Sequence, residues 1–252
     1  ALVFSDLGDG TKNQYTLQTY LRDQPADLFG YEAMNHPYGE SLWYTDATPV
    51  IAIGLRIFAA IGVPAPWLAV NGFNLFLLLG IALSSVFLFK IFDRASIQLE
   101  ITWLLCLALP WISPQLLRLS VGHFNLSLGW IILGAWWWII KWEEEPGRKR
   151  WAWAALLVGW IVLASGHHLY YLPMLAFMTG IWMLISGWQH RKDKKKLAER
   201  LGLALAVPAL AGLQVLGWIR WTDPFFNIRP EKAQGYNWGG WNLNIDSLLQ
   251  AY

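Results

Sequence analysis

The sequence has little charge and almost no cysteine. Of its 252 residues, 14% are charged, 56% are hydrophobic and 18 are tryptophan. That balance is typical of membrane proteins and excludes an ordinary soluble domain. The one cysteine, Cys106, lies in an apolar run, so no intrachain disulfide can form and the redox compartment cannot be inferred. We expect no nucleic-acid partner.

Several motifs of well-known enzyme and transporter classes are also missing. The apolar runs carry no Asp, Glu, Lys or Arg near their centres. Ion-coupled transporters and proton pumps usually need such groups at membrane depth. The chain has neither a glycine-rich phosphate-binding motif nor a nucleophile elbow.

What is present is a series of apolar segments near the length of about 20 residues that a helix needs to cross a bilayer. We predict six transmembrane helices, at residues 67–92, 99–117, 124–142, 151–165, 169–188 and 201–221. Pro110 and Pro114 should break the far end of the second. The expected fold class is all-α, a polytopic transmembrane helix bundle with an external first loop that carries short interfacial helices.

Two shorter helices are predicted within that first loop, at residues 14–21 and 50–61. The second carries Arg56 at its centre and is too short to span, so we expect it in the interface or tucked under the loop.

Lysine and arginine predict the orientation. Three connectors hold twelve of the 19 bases: Lys90, Arg94, Lys141, Arg148, Lys149, Arg150, Arg191, Lys192, Lys194, Lys195, Lys196 and Arg200. The positive-inside rule makes that side cytoplasmic. The other face collects residues 5–66 as an external loop, the turns at 120–125 and 165–168, and residues 222–252 as a further loop or the start of a C-terminal part. We expect a single membrane domain from a longer protein, because Ala1–Phe4 reads as the end of a truncated span.

The first loop is strongly acidic. Residues 5–49 contain seven acids and two bases. Asp6 and Asp9 are interleaved with Gly8 and Gly10, which let the backbone turn tightly and hold a carboxylate close to a ligand. Alternatives are a turn with local side-chain capping or a divalent-cation site, although two acids are a weak metal signal. No cofactor is therefore predicted, and a divalent cation is unsupported.

Further polar residues are candidates for substrate binding. His36, Tyr38, Glu40 and Asp46 surround a proline-containing turn and could hydrogen-bond sugar hydroxyls beside Asp9, or could only shape the turn. On the same face lie His123, His167, His168 and Tyr170.

The fourth predicted span has 15 residues, about 22 Å of helix, which is short for a core of about 30 Å. We therefore expect His167 and His168 at headgroup depth, where imidazoles can hold a phosphate. The alternative is that each histidine only packs at the membrane interface, with its ring carbons against apolar groups and its polar nitrogens in water. No carboxylate or cysteine stands at zinc-ligand spacing.

Four motifs carry a resemblance: GDGTKNQYT, MNHPYGESLWYTDATP, GHFNL and SGHHLYYLP. With the acidic loop and the multiple spans, they resemble the GT-C superfamily of integral membrane glycosyltransferases, of a bacterial multi-pass type. The resemblance implies a polyprenyl-phosphate-linked sugar donor, a glycan, lipid or protein acceptor, and a site on the non-cytoplasmic face of the bacterial inner membrane. It assigns the role of general base to Asp9, with Asp6 supporting it. The chain departs from that pattern in lacking a first span and a C-terminal part.

Two other function classes stay open. A non-enzymatic transporter of lipid-linked saccharides would need a polar path through the spans, for which Asn71, Asn74 and Gln214 are candidates. A structural subunit of envelope polysaccharide assembly would tolerate the loss of Asp9.

Overall fold

The computed structural model describes residues 9–31, 39–145 and 147–223. Its helices are α1 Asp9–Asp23, α2 Pro49–Ala60, α3 Ala65–Trp67, α4 Phe73–Arg94, α5 Leu99–Ile112, α6 Pro114–Ser120, α7 Gly129–Glu144, α8 Lys149–Ser165, α9 Tyr171–Gln189 and α10 Lys194–Thr222. The expected all-α class is nearly correct. One antiparallel ladder of two-residue strands, β1 Gly30–Tyr31 and β2 Glu40–Ser41, was not predicted.

Four helical segments are long and apolar enough to cross a membrane: Ala65–Arg94, Leu99–Ser120, Tyr171–Gln189 and Lys194–Thr222. The first includes α3, a π-helical turn at Leu68–Gly72 and α4. The outer faces of these segments expose large apolar side chains, such as Leu205 at 76% and Phe177 at 72%, as lipid contact requires. The chain is therefore a multi-pass membrane protein.

The predicted count of six spans is not confirmed. The third and fourth predicted spans are helices, but α7 has 16 residues and α8 has 17, both short of the roughly 20 residues of a typical span. Ile139 and Trp142 of α7 and Leu157 and Ile161 of α8 are 0% exposed. Neighbouring helices thus cover much of their apolar surface.

Close packing joins α7 to its neighbours. It packs against α4 and α8, and α8 packs against α10. The indole Nε1 of Trp160 donates to the carbonyl of Ile131 at 2.8 Å, while Gly134 leaves room for the Trp160 ring. A Cβ at position 134 would lie 2.2 Å from that ring.

Helix boundaries follow the prolines closely. α5 ends at Ile112 and α6 begins at Pro114, as predicted for Pro114, since a proline interrupts the helical hydrogen-bond ladder but suits the first turn. Pro110, which was also expected to break the helix, lies inside α5. α2 is a separate 12-residue helix. Its Arg56 donates to the carbonyl of Pro25 at 2.6 Å, which ties α2 to the end of α1.

The start of α1 differs from the prediction. The helix begins at Asp9, five residues before the predicted start, and Gly10 is buried within its first turn. The segment expected to be a glycine-rich turn is thus helical from Asp9 onward. Local helix propensity is a weak guide here, because packing of α1 against α2 and the following π turn stabilises a first turn that contains glycine.

The bundle has two chemically different ends. At the basic end, ion pairs join the connectors: Arg94 to Glu144 at 2.5 Å, Arg150 to Glu199 at 3.0 Å and Arg200 to Glu143 at 2.8 Å. At the polar end, the indole of Trp43 donates to the hydroxyl of Thr222 at 2.7 Å, and the amide of Val50 donates to the carbonyl of Gly166 at 3.0 Å. The assignment of the basic end to the cytoplasm stays a prediction.

Candidate functional site

A cavity of about 490 Å³ opens at the polar end, and we call it the polar pocket. It brings together four of the predicted substrate-binding residues: Asp46, His123, His168 and Tyr170. Its other lining residues are Asn13, Trp43, Tyr44, Asn125, Leu126 and Leu169. Residues from α1, from the loop before α2 and from two interhelical turns therefore share one wall.

The carboxylate of Asp46 is at the centre of the polar contacts. One of its oxygens lies 3.4 Å from Nε2 of His168 and accepts a hydrogen bond from the side-chain amide of Asn125 at 2.9 Å. The contact with His168, followed by that of Asn125, lowers the pKa of Asp46, although partial burial opposes this effect. Asp46 thus keeps a negative charge beside the cavity.

The backbone orients His168. Its Nδ1 accepts the amide hydrogen of Tyr170 at 3.2 Å, so in the neutral ring the proton sits on Nε2, the nitrogen that faces Asp46. The ring of Tyr170 meets that of His168 edge-on, with centroids 4.4 Å apart. Tyr170 itself is 57% exposed, which leaves its ring accessible to a ligand.

The turn before α7 holds Asn125 in place. Gly122 adopts a φ of +84°, a conformation that favours glycine, and a short 3-10 turn at Phe124–Leu126 follows. The hydroxyl of Tyr171 donates to the carbonyl of Asn125 at 2.7 Å. Tyr171 of α9 therefore fixes the backbone of Asn125, the residue whose side-chain amide binds Asp46.

A cation stands near the rim of the pocket. A guanidinium nitrogen of Arg118 lies 3.2 Å from Nδ1 of His123, and Arg118 is exposed at the end of α6. The pocket therefore combines a carboxylate, two imidazoles and a nearby guanidinium. Such a set can hydrogen-bond hydroxyl groups and can also hold an anion.

His167 does not line the pocket, contrary to the expectation that it would share the role of His168. It is 3% exposed, stacked on Phe76 at 5.7 Å between ring centroids and edge-on to Trp130 at 5.5 Å. Burial lowers its pKa to about 4. Adjacent residues in a turn can point in opposite directions, which is why neither composition nor spacing separates the two histidines.

Of the other predicted site residues, none that the structure describes with its side chain lines the polar pocket. Glu40 lies on β2, where its carboxylate accepts the amide of Ser41 at 2.9 Å, and it does not line the polar pocket. Asp6, His36 and Tyr38 lie outside the described residues. Asp9 is the first residue of α1, and Asn13, four residues later on that helix, lines the pocket.

Three lining residues that bear polar or aromatic groups were not predicted as ligand contacts from the sequence, namely Asn13, Trp43 and Asn125. Each lies inside one of the motifs quoted above, but nothing in the local pattern distinguishes it from residues that only shape a turn. Across residues 9–31, 39–145 and 147–223, no group of three or more His, Cys, Asp or Glu is placed to hold a metal ion.

Comparison with known proteins gives a family but no activity. No curated protein and no solved structure matches the chain. The family model described as "Domain of unknown function (DUF6311)" matches residues 2–252. The chain therefore belongs to the DUF6311 family.

Proposed function

We propose that the chain is a membrane glycosyltransferase that moves a sugar from a polyprenyl-phosphate donor to an acceptor hydroxyl, with inversion at the anomeric carbon. One observation carries the proposal: a carboxylate and two imidazoles line a single cavity at the end of a bundle of apolar helices. A lipid-linked sugar presents its anomeric carbon just outside the bilayer, at such a position.

The size and the chemistry of the pocket support this choice. A volume of about 490 Å³ lies within the range of small-molecule sites, about 300–1,000 Å³. The side chains of Asn13, Asn125 and Asp46 offer donors and acceptors for hydroxyl groups, and the half-exposed ring of Tyr44 offers an apolar face.

The proposed reaction is a direct displacement. The acceptor oxygen attacks the anomeric carbon while a carboxylate takes its proton, which contributes about 10²–10⁴-fold. The bond between that carbon and the phosphate oxygen breaks, and the lipid phosphate leaves with the electron pair. His168, His123 and Arg118 would stabilise the charge on the departing phosphate.

We assign the general base to Asp9. The contacts of Asp46 with His168 and Asn125 lower its pKa, so Asp46 is the weaker base and is better suited to binding and orienting. Asp9 begins the helix that sends Asn13 into the pocket wall. The resemblance to the GT-C superfamily assigns the base to the same position.

The transporter alternative has less support. Gln214 is on the exposed surface of α10, whereas Asn74 is buried within α4. These two candidates thus lie in different environments, which gives no support to a shared polar path.

The test is transfer of radiolabelled sugar from polyprenyl-phosphate glucose or polyprenyl-phosphate mannose, in membranes that contain the chain. We expect Asp9→Asn to lower the rate by about 10²–10⁴-fold and Asp46→Asn to weaken donor use mainly through a higher KM. Asp23→Asn is the matched control, because Asp23 is an exposed acid at the opposite end of α1.

Full activity of a folded Asp9→Asn variant together with an inactive Asp46→Asn variant would move the base to Asp46. Absence of transfer by the unmodified chain from every polyprenyl-phosphate sugar tried, or full activity of both variants, would contradict the proposal.

A further inference from the structure

A second large cavity lies at the opposite end of the bundle, between the start of α8 and the start of α10. Its volume is about 530 Å³, and we call it the basic pocket. The residues that line it are Gly147, Arg148, Arg150, Trp151, Lys195 and Glu199. About 25 Å of α8, 17 residues at 1.5 Å each, separates it from the turn that carries His168.

The basic pocket has more positive than negative charge. Glu199, its one acid, is already paired with Arg150 at 3.0 Å. The side chains of Arg148 and Lys195 have neither an ion pair nor a hydrogen bond within residues 9–31, 39–145 and 147–223. Two positive charges therefore face this cavity without an acidic partner from the described chain.

The start of α8 adds to the attraction for an anion. No side chain caps the first turn of α8, where Arg148 occupies the N-cap position. The start of α10 is different, because the carboxylate of Asp193 accepts the amides of Lys195 and Lys196. An uncapped helix start presents free N–H groups and the positive end of the helix dipole.

Arg150, which lines the pocket, also belongs to a cluster of two guanidinium groups around one indole ring. Trp142, which is 0% exposed, lies between two guanidinium groups, Arg200 at 4.0 Å and Arg150 at 5.3 Å from its ring centroid. Arg200 is 2% exposed and pairs with Glu143 at 2.8 Å. Its Nε and Nη1 have no hydrogen-bond partner among the described residues. Glu143 and Glu199 are thus already engaged with Arg200 and Arg150, so the charges of Arg148 and Lys195 remain available to an anion.

We propose that the basic pocket binds a phosphate group, and that the natural ligand is the headgroup of an anionic membrane lipid. The exposed Trp151 favours the lipid source, because it is 55% exposed beside the cavity and tryptophan is enriched at headgroup depth. Basic pockets between transmembrane helices are known to bind anionic headgroups. The proposal is independent of glycosyl transfer.

The test measures binding of phosphatidylglycerol to the full chain in nanodiscs of phosphatidylcholine, by native mass spectrometry of lipid retained after purification. The variant is Arg148→Gln with Lys195→Gln, and both side chains are exposed. At about 1 kcal/mol for each base near the surface, binding should weaken roughly 30-fold. The single variant Lys195→Gln should give roughly 5-fold.

The control is Arg191→Gln with Lys192→Gln, which removes the same charge from the connector between α9 and α10, outside the basic pocket. It should weaken binding clearly less than the pocket variant does, because Arg191 and Lys192 do not line the cavity. Equal loss of phosphatidylglycerol in the variant and in the control, or no loss in either, would overturn the proposal.

A second arm adds inorganic phosphate as competitor. Retention that resists phosphate and depends on Arg148 and Lys195 supports a lipid headgroup as ligand. Displacement of phosphatidylglycerol by millimolar phosphate supports the same phosphate site with a soluble phosphate ester as the ligand.

Discussion

His167 and His168 are neighbours in the chain with opposite environments. His168 faces the polar pocket and contacts Asp46, whereas His167 is enclosed between Phe76 and Trp130. Only one of them is therefore available to a ligand. The buried ring of His167 resists protonation, and this affects the stability of the fold.

We expect His167 to make folding stability depend on pH. In the unfolded chain its pKa returns to about 6.5, whereas burial lowers it to about 4 in the fold. Between those values the unfolded state binds more protons, so the free energy of unfolding falls as the pH falls from about 6.5 to about 4. The loss should reach about 3 kcal/mol, at 1.36 kcal/mol for each unit.

The variant His167→Phe isolates this effect, since a second aromatic ring can occupy the space between Phe76 and Trp130. At pH 7.5 its thermal midpoint in detergent should equal or exceed that of the unmodified chain. At pH 5 the unmodified chain should have lost more stability than the variant. Parallel pH profiles for the two proteins would show that His167 is not the titrating group.

At the scale of single helices, packing between α7 and α8 is the most demanding contact. Gly134 faces the ring of Trp160, and a Cβ there would lie 2.2 Å from it. Since the indole is held by its hydrogen bond to Ile131, it cannot move aside easily. We expect Gly134→Ala to destabilise the fold by about 1–3 kcal/mol.

Gly159 on α8 provides the matched control. Nothing lies within 4 Å of a Cβ built there, so Gly159→Ala should be neutral or should stabilise by about 0.5–1 kcal/mol. The measurement is the thermal midpoint of both variants in one detergent. A Gly134→Ala variant as stable as Gly159→Ala would mean that α7 and α8 do not pack through this contact.

Helix type and approximate position could be read from the sequence, because apolar composition and proline act locally. The break between α5 and α6 at Pro114 and the short α2 after Thr48 are examples. The start of α1 at Asp9 could not be read, since its first turn depends on packing against distant segments. The number of spanning helices could not be read either, because apolar content does not distinguish a helix that packs against other helices from one that contacts lipid.

Part of the candidate site could also be predicted from the sequence, because polar turns between apolar helices are recognisable locally. The residues Asp46, His123, His168 and Tyr170 stand in polar turns, and a bundle brings such turns to one end. The contribution of Asn125 and the burial of His167 depend on tertiary contacts with Tyr171, Phe76 and Trp130. No local pattern encodes those contacts.

At the scale of the whole molecule, the protein separates two chemistries along its helices. The polar pocket holds a carboxylate beside imidazoles, and the basic pocket holds bases without acidic partners. An apolar bundle with four helices of spanning length lies between them. This form fits the proposed action on a lipid-linked substrate at one end and the proposed contact with anionic headgroups at the other.

The central claim is that the polar pocket receives the sugar of a polyprenyl-phosphate donor. The most direct measurement is photo-crosslinking with polyprenyl-phosphate glucose or mannose that carries a diazirine on the sugar, followed by peptide mapping. The account predicts labels on Tyr44, His123 or Tyr170, all of which line the pocket, with protection by the unmodified donor. Labelling confined to the lipid-facing surfaces of α9 and α10, or labelling of the pocket that excess donor does not reduce, would contradict it.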